Sequence, residues 1–235
     1  MSEIDDIIQG KTLEAVRSYE MFLPGERILM ALSGGKDSLT LVGILGQLRL
    51  NGELNAHLEA VWVETDAGCG EGVLDGPAGA LCRSLEIPLR HIRYDIIEEA
   101  GEKLSCFYCA LRRRSAMFKM ATDDGFNSLA FGHHRDDVAE TLVMNMLFHG
   151  NISTMSPAVS FFGGKLRVIR PLALVDERET ARWVAERGLA AVACSCPRSA
   201  ENIRASVKEW LAEIETEAPG VGKRIFDAMH MKGER

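Results

Sequence analysis

A chain of 235 residues, 46% of them hydrophobic, is long enough to fill one sizeable core, as a single α/β domain with or without a small appendage. Its formal net charge of −7 argues against binding nucleic acid by overall attraction, although Arg112, Arg113, Arg114, Lys119, Arg135, Lys165, Arg167 and Arg170 gather basic charge in the middle of the chain. There is no apolar run of about eighteen residues, and the start MSEIDDIIQGK is acidic where an export leader is basic and then apolar, so no membrane span is expected and the chain reads as cytoplasmic.

In chain order, residues 1–25 are assigned to an N-terminal helix, 26–190 to a core and 191–235 to a cysteine-bearing, helical C-terminal segment of the same domain. Short β-rich apolar runs near Arg27–Leu32, Leu58–Val63, Leu89–Tyr94, Ser128–Gly132 and Arg167–Pro171 alternate with amphipathic stretches near Ser38–Leu50, Gly72–Leu85, Tyr108–Asp123, Asp136–Phe148, Glu177–Arg187 and Ile203–Thr216, with a short helix after Pro219. That alternation predicts an α/β fold, a parallel sheet buried on both faces by helices. Gly68–Gly79 and Gly150–Gly164, glycine-rich and weakly patterned, are expected to be mobile loops. The apolar positions at Leu142, Met146 and Met117–Met120 recur at helical spacing and are expected in the core.

The first strand runs straight into Ser33-Gly34-Gly35-Lys36-Asp37-Ser38, and a helical pattern begins at Leu39. In such a strand-loop-helix the glycines admit a ligand close to the backbone, and the helix start offers free N–H groups and the positive end of its dipole to an anion. Ser33 and Ser38 add hydroxyls and Lys36 a compact cation. The same residues would also serve as an ordinary turn with Asp37 or Ser38 as helix cap. They do not fit G-x-x-x-x-G-K-[ST].

Six cysteines in a chain without an export leader point to thiolate or metal chemistry rather than disulfides. Cys106 and Cys109 have the spacing at which one metal or cluster takes two sulfurs, with a third to come from Cys194-Ser195-Cys196. Three thiolates fit a [4Fe-4S] cluster with one open iron and four fit structural zinc, while buried inert cysteines are the bland alternative. Cys82 reads as core and Cys69 stays unassigned. Gly132-His133-His134-Arg135-Asp136-Asp137 leaves a strand at its carboxyl end, where open sheets bind ligands; its two carboxylates could hold Mg²⁺ or simply cap the next helix. His57, His91, His149 and His230 are isolated and read as structural.

Ser33-Gly34-Gly35-Lys36-Asp37-Ser38 resembles the PP-loop of the ATP pyrophosphatases, which bind ATP in a Rossmann-like fold and cleave it between the α and β phosphates. Over roughly residues 10 to 230 the chain resembles, more narrowly, the tRNA 2-thiocytidine synthetases (TtcA type). The likeness lies in Cys106-x-x-Cys109 with an Arg-rich helix, Gly132-His133-His134-Arg135-Asp136-Asp137 with Glu140-Thr141, Ile169-Arg170-Pro171-Leu172, and Cys194 eight residues before Asn202. The resemblance implies an ATP-dependent sulfurtransferase that adenylates a tRNA base, cytidine in the family, and replaces its oxygen by sulfur. It implies ATP, Mg²⁺ and a [4Fe-4S] cluster on Cys106, Cys109 and Cys194, with Cys196 as alternative third ligand and Zn²⁺ as alternative metal.

In that scheme Ser33, Gly34, Gly35, Lys36, Asp37 and Ser38 hold the phosphates, Ala31, Leu32 and Val63 flank the adenine, and Gly132 and Asp136 complete the nucleotide site. Lys36 stabilises the leaving pyrophosphate, Asp37 and Asp137 are acidic helpers, and Arg113 steadies the adenylated base. The implied partners are tRNA and a sulfur donor such as a cysteine desulfurase or sulfide; a homodimer is one assembly open to the chain. Where the family shows Cys-x-x-Cys-Gly-Ser, this chain has Cys194-Ser-Cys196-Pro197-Arg198-Ser199, and Glu64-Thr-Asp-Ala-Gly-Cys-Gly70 also departs from the pattern. An adenylating ligase, a thiolase with a non-tRNA acceptor, and a metal- or cluster-bearing nucleotide-binding module without turnover therefore stay open as rivals.

Overall fold

The structure, a computed structural model, describes residues 2–67, 73–101, 105–192 and 203–230. Helix α1 (Glu3–Ser18) leads into β1 (Arg27–Ala31), whose alternate side chains are buried on both faces: Ile28 and Met30 on one, Leu29 and Ala31 on the other. That two-sided burial is why β1 reads as an unbroken apolar run. The chain continues through α2 (Lys36–Leu50), β2 (His57–Thr65), α3 (Pro77–Ser84), β3 (Leu89–Tyr94) and the short α4 (Ile97–Ala100). Then follow α5 (Cys106–Asp123), β4 (Ser128–Ala130), α6 (Arg135–His149), β5 (Ala158–Phe161), β6 (Leu166–Ile169), α7 (Glu177–Glu186), α8 (Ile203–Glu217) and α9 (Val221–His230).

The strands form one sheet in the order β3-β2-β1-β4-β6-β5, parallel except for β5 against β6. Helices α1, α2, α3 and α7 share the larger core with Ile28, Met30, Ala60 and Trp62, and α5 covers the opposite face with Met117 and Ala121 against Leu29, Val61 and Leu129. Because β1 has β2 on one side and β4 on the other, the loops leaving β1 and β4 open a crevice at the strands' carboxyl ends, where such sheets bind ligands.

Several sequence expectations need correction. Gly150–Gly164 is not simply a loop: it contains β5, an edge strand whose Val159, Ser160 and Phe161 are exposed and which closes on a short 3₁₀ turn at Phe162–Gly164. Gly79, placed in the Gly68–Gly79 loop, lies inside α3. Helix α2 begins at Lys36 with Gly35 as cap, so neither Asp37 nor Ser38 caps it, and α5 begins two residues early, at Cys106, because Ser105 accepts a hydrogen bond from Tyr108 N. Met117 and Leu142 are core, but Met146 is 49% exposed.

Candidate active site

In the loop after β1, Gly34 adopts φ +82°, a conformation that only glycine takes without strain. Ser38 Oγ donates to Gly35 O at 2.8 Å, and Ser38 Oγ in turn accepts from Ser33 N at 3.1 Å, which curls the loop over the helix start. No side chain caps α2 at Gly35, so its first-turn amides stay available to an anion. The loop after β4 is seated directly on this turn. A Cβ at Gly132 would lie 2.7 Å from Asp37 O and 3.1 Å from Ser38 N, and only a glycine permits that approach.

The Gly132-to-Asp137 segment does cap its helix, but through His134. The buried His134 Nδ1 accepts from Asp137 N at 3.3 Å, and Asp137 Oδ2 accepts from His134 N at 3.0 Å. Asp137 nevertheless faces the crevice. A cavity of about 340 Å³ there is bounded by Ala31, Ser33, Asp37 and Ser38 on one side, by Ala110, Arg113, Arg114 and Met117 of α5 on another, and by Phe131, Gly132, His133, Asp137 and Arg204. Arg113 Nε and His133 Nδ1 on its wall, and Arg170 Nε, are buried without a hydrogen-bond partner among the described residues, and buried polar groups left in that state call for a ligand or water. Burial, with Arg170, Arg114 and Arg204 nearby, pushes His133 down to about 4, so its imidazole is neutral; burial and the Arg114 charge likewise lower Arg170 to about 10. The cavity thus has a strongly cationic wall facing the carboxylates of Asp37 and Asp137.

Lys36 and Asp136 point elsewhere. Lys36 Nζ pairs with Asp37 Oδ2 at 2.9 Å and Glu177 Oε1 at 3.0 Å, and Thr180 Oγ1 donates to Asp37 Oδ1 at 2.6 Å. Burial opposes ionisation of Glu177, but Lys208 and Lys36 hydrogen-bond to it and hold it down at about 2. Asp136 Oδ2 accepts from Glu177 N at 2.7 Å and lines a second cavity of about 440 Å³ between α6, α7, α8 and α9. The paired carboxylates therefore serve different cavities, and Asp136 touches Glu177 rather than the loop after β1. Leu32 and Val63 are buried on opposite faces of the sheet. The C-terminal part also reaches the site: Arg204, at the start of α8, donates to Thr141 Oγ1 at 2.7 Å and lies 3.3 Å from Glu140 Oε2. Burial, with Asp137 beside it, pushes Glu140 up to about 7.

The first turn of α5 carries exposed Cys106 and buried Cys109. Cys109 Sγ is 4.0 Å from Thr65 Oγ1 and packs with Ala67, Tyr94, Ile96 and Tyr108. Two sulfurs one helical turn apart beside an apolar wall fit two corners of a cluster. Cys194, Cys196 and Cys69 lie outside the described residues. Cys82 is core, 1% exposed, with burial pushing its thiol up to about 11. Sequence reasoning gave no role to His133, Thr180, Glu177 or Arg204. His133 was quoted only inside its motif, and the other three reach the site from more than 60 residues away in sequence.

A strand-loop-helix with an uncapped helix start, at the switch point of a mostly parallel sheet, defines a nucleotide-binding α/β protein, and the family model for the PP-loop domain matches residues 5–212. The chain belongs to the PP-loop family. Within it, the chain is similar to tRNA-cytidine(32) 2-sulfurtransferases. One from Geobacter sulfurreducens is 35% identical over 97% of this chain and 92% of its own, and one from Verminephrobacter eiseniae is 35% identical over 92% and 69%. The U34-tRNA thiolase NcsA from Methanococcus maripaludis, solved with its [4Fe-4S] cluster, superposes with a TM-score of 0.77 at 23% identity, over 96% of this chain and 80% of that one. NMN synthetase from Francisella tularensis shares the fold at a TM-score of 0.51 and 14% identity, over all of this chain and 95% of that one.

Proposed function

We propose that this protein is an ATP-dependent tRNA sulfurtransferase that adenylates the carbonyl oxygen of a tRNA base, cytidine by likeness to its relatives, and replaces that oxygen by sulfur. One observation carries the reading: the loop that can hold ATP phosphates and the helix that begins at Cys106 are two walls of the same cavity. The polyphosphate lies on the Ser33–Ser38 amides and hydroxyls, with Ala31 and Gly132 beside the nucleotide. The base oxygen attacks the α-phosphorus and pyrophosphate leaves; Lys36 exchanges its carboxylate partners for phosphate oxygens as that charge develops. Arg113 and neutral His133 hold the adenylated base. A sulfur nucleophile then adds to the base carbon and AMP departs with the original oxygen.

Asp37 and Asp137 suit Mg²⁺, which when bound screens the bond between the α and β phosphates. Cys106 and Cys109, with Cys194 as third ligand, suit a [4Fe-4S] cluster, which when bound supplies an open iron for sulfur. Sulfide balances the exchange directly; sulfur delivered as a persulfide by a cysteine desulfurase would need two further electrons, from a thiol reductant. A cytoplasmic setting fits a tRNA-modifying enzyme, and no helix among the described residues is long and apolar enough to cross a membrane. Light scattering tests for a homodimer.

The deciding experiment is iron and sulfide analysis of anaerobically purified protein together with product analysis in the presence of tRNA. Iron, sulfide, AMP and pyrophosphate are expected. Protein free of iron and sulfide, or turnover to ADP and phosphate, overturns the proposal. Cys109→Ala should lose the iron and the thiolated product yet still release pyrophosphate, with the AMP left on the tRNA base.

A further inference from the structure

Phe107 and Leu111 on α5 have no part in the chemistry above. Phe107 is 78% exposed and Leu111 48% exposed, and with Ala110, Arg114 and Ser115, also exposed, they form a stripe at three- and four-residue spacing along one side of the helix. The stripe adjoins the catalytic cavity, because Ala110 and Arg114 line it. Phe107, one turn earlier and next to Cys106, therefore stands at the cavity's rim.

Charge says what covers this face. From Ser105 to Thr122 the helix contains no acidic residue but carries Arg112, Arg113, Arg114 and Lys119, in a chain whose net charge is −7. Arg112 is paired with Glu99 and Lys119 with Asp123, whereas Arg113 Nε is buried without a partner among the described residues. A second exposed apolar patch, Met146, Leu147, Phe148 and Ile152 at the end of α6, contrasts with it, since no lysine or arginine occurs from Asp136 to Gly164. An exposed ring beside arginines is what unpaired nucleotides select, the base stacking on the ring and the phosphate meeting the guanidinium.

We propose that Phe107, Leu111 and Arg114 form the docking platform for the unpaired RNA nucleotides next to the base that enters the cavity, with Phe107 stacking on one of them. This rests on the tRNA reading above and names where the RNA loop lies. Fluorescence anisotropy of a labelled RNA hairpin with a single-stranded loop, and of a fully paired duplex of equal length, tests it. Phe107→Ala is expected to weaken hairpin binding roughly 5- to 150-fold and Phe107→Trp to restore it, with duplex binding and thermal unfolding unchanged. Equal hairpin affinity in the wild type and Phe107→Ala overturns the platform while leaving the tRNA reading intact. A wild-type protein with no hairpin affinity even at low salt overturns the tRNA reading itself, and the platform with it. Should Phe107→Ala instead turn a dimer into a monomer by light scattering, with hairpin affinity unchanged, the face joins two copies of this chain and the platform is wrong.

Discussion

Lys36 is held by two carboxylates from different parts of the chain, Asp37 beside it and Glu177 on α7. Those contacts keep its ammonium charged against partial burial, raising its pKa. Lys36→Ala is expected to lower AMP formation by about 10²–10³-fold with iron content unchanged, measured by product chromatography and colorimetric iron assay. Glu177 makes a pH prediction. Its folded pKa, about 2, lies below its ordinary 4.5, so its stabilising contribution is present above 4.5 and is lost as pH falls through about 2. Thermal melts from pH 2 to 6 should show a rising acid limb that Glu177→Gln flattens, at a cost near neutrality of roughly 1 kcal/mol for a partly solvated pair.

Two glycines set the packing of whole elements. A Cβ at Gly43 would sit 2.2 Å from the fully buried Trp183, whose Nε1 donates to Asp5 at 3.0 Å, so α2, α7 and α1 interlock there. Gly43→Ala should cost about 1–3 kcal/mol by overpacking and lower the melting midpoint by several degrees. Gly132→Ala would drive the β4 loop off Asp37 and weaken ATP binding by about tenfold or more, measured by calorimetry. Much of this was legible in the chain. Ile28–Ala31 is buried on both faces and so is uniformly apolar, and Ser33–Ser38 carries its geometry in two adjacent glycines. The strand β5 was not legible, because a four-residue half-exposed edge strand among glycines has neither alternation nor length. Nor were Glu177, Thr180 and Arg204, since local pattern cannot tell that α7 and α8 fold back onto loops far earlier in the sequence. Nor does the sequence separate Asp136 from Asp137: neighbours at a helix start diverge by about 100°, so they face different cavities.

At the scale of the molecule, an acidic protein that binds tRNA must do so through a small cationic area. The dependence of log affinity on log salt is therefore expected to be shallow, a slope of about −2 to −3 from three or four phosphate contacts, read by filter binding between low and physiological salt. The fold adds a relation between its two chemistries. Val192 N donates to Gly34 O at 2.9 Å, inside the phosphate loop, and Arg204 grips Thr141 and Glu140 behind Asp137. The chain between those anchors carries Cys194. By thermodynamic reciprocity, any shift that a nucleotide on Gly34 imposes on Val192 is matched by an equal effect of displacing Val192 on nucleotide affinity: the phosphate loop and the chain that leads toward Cys194 are joined at one hydrogen bond.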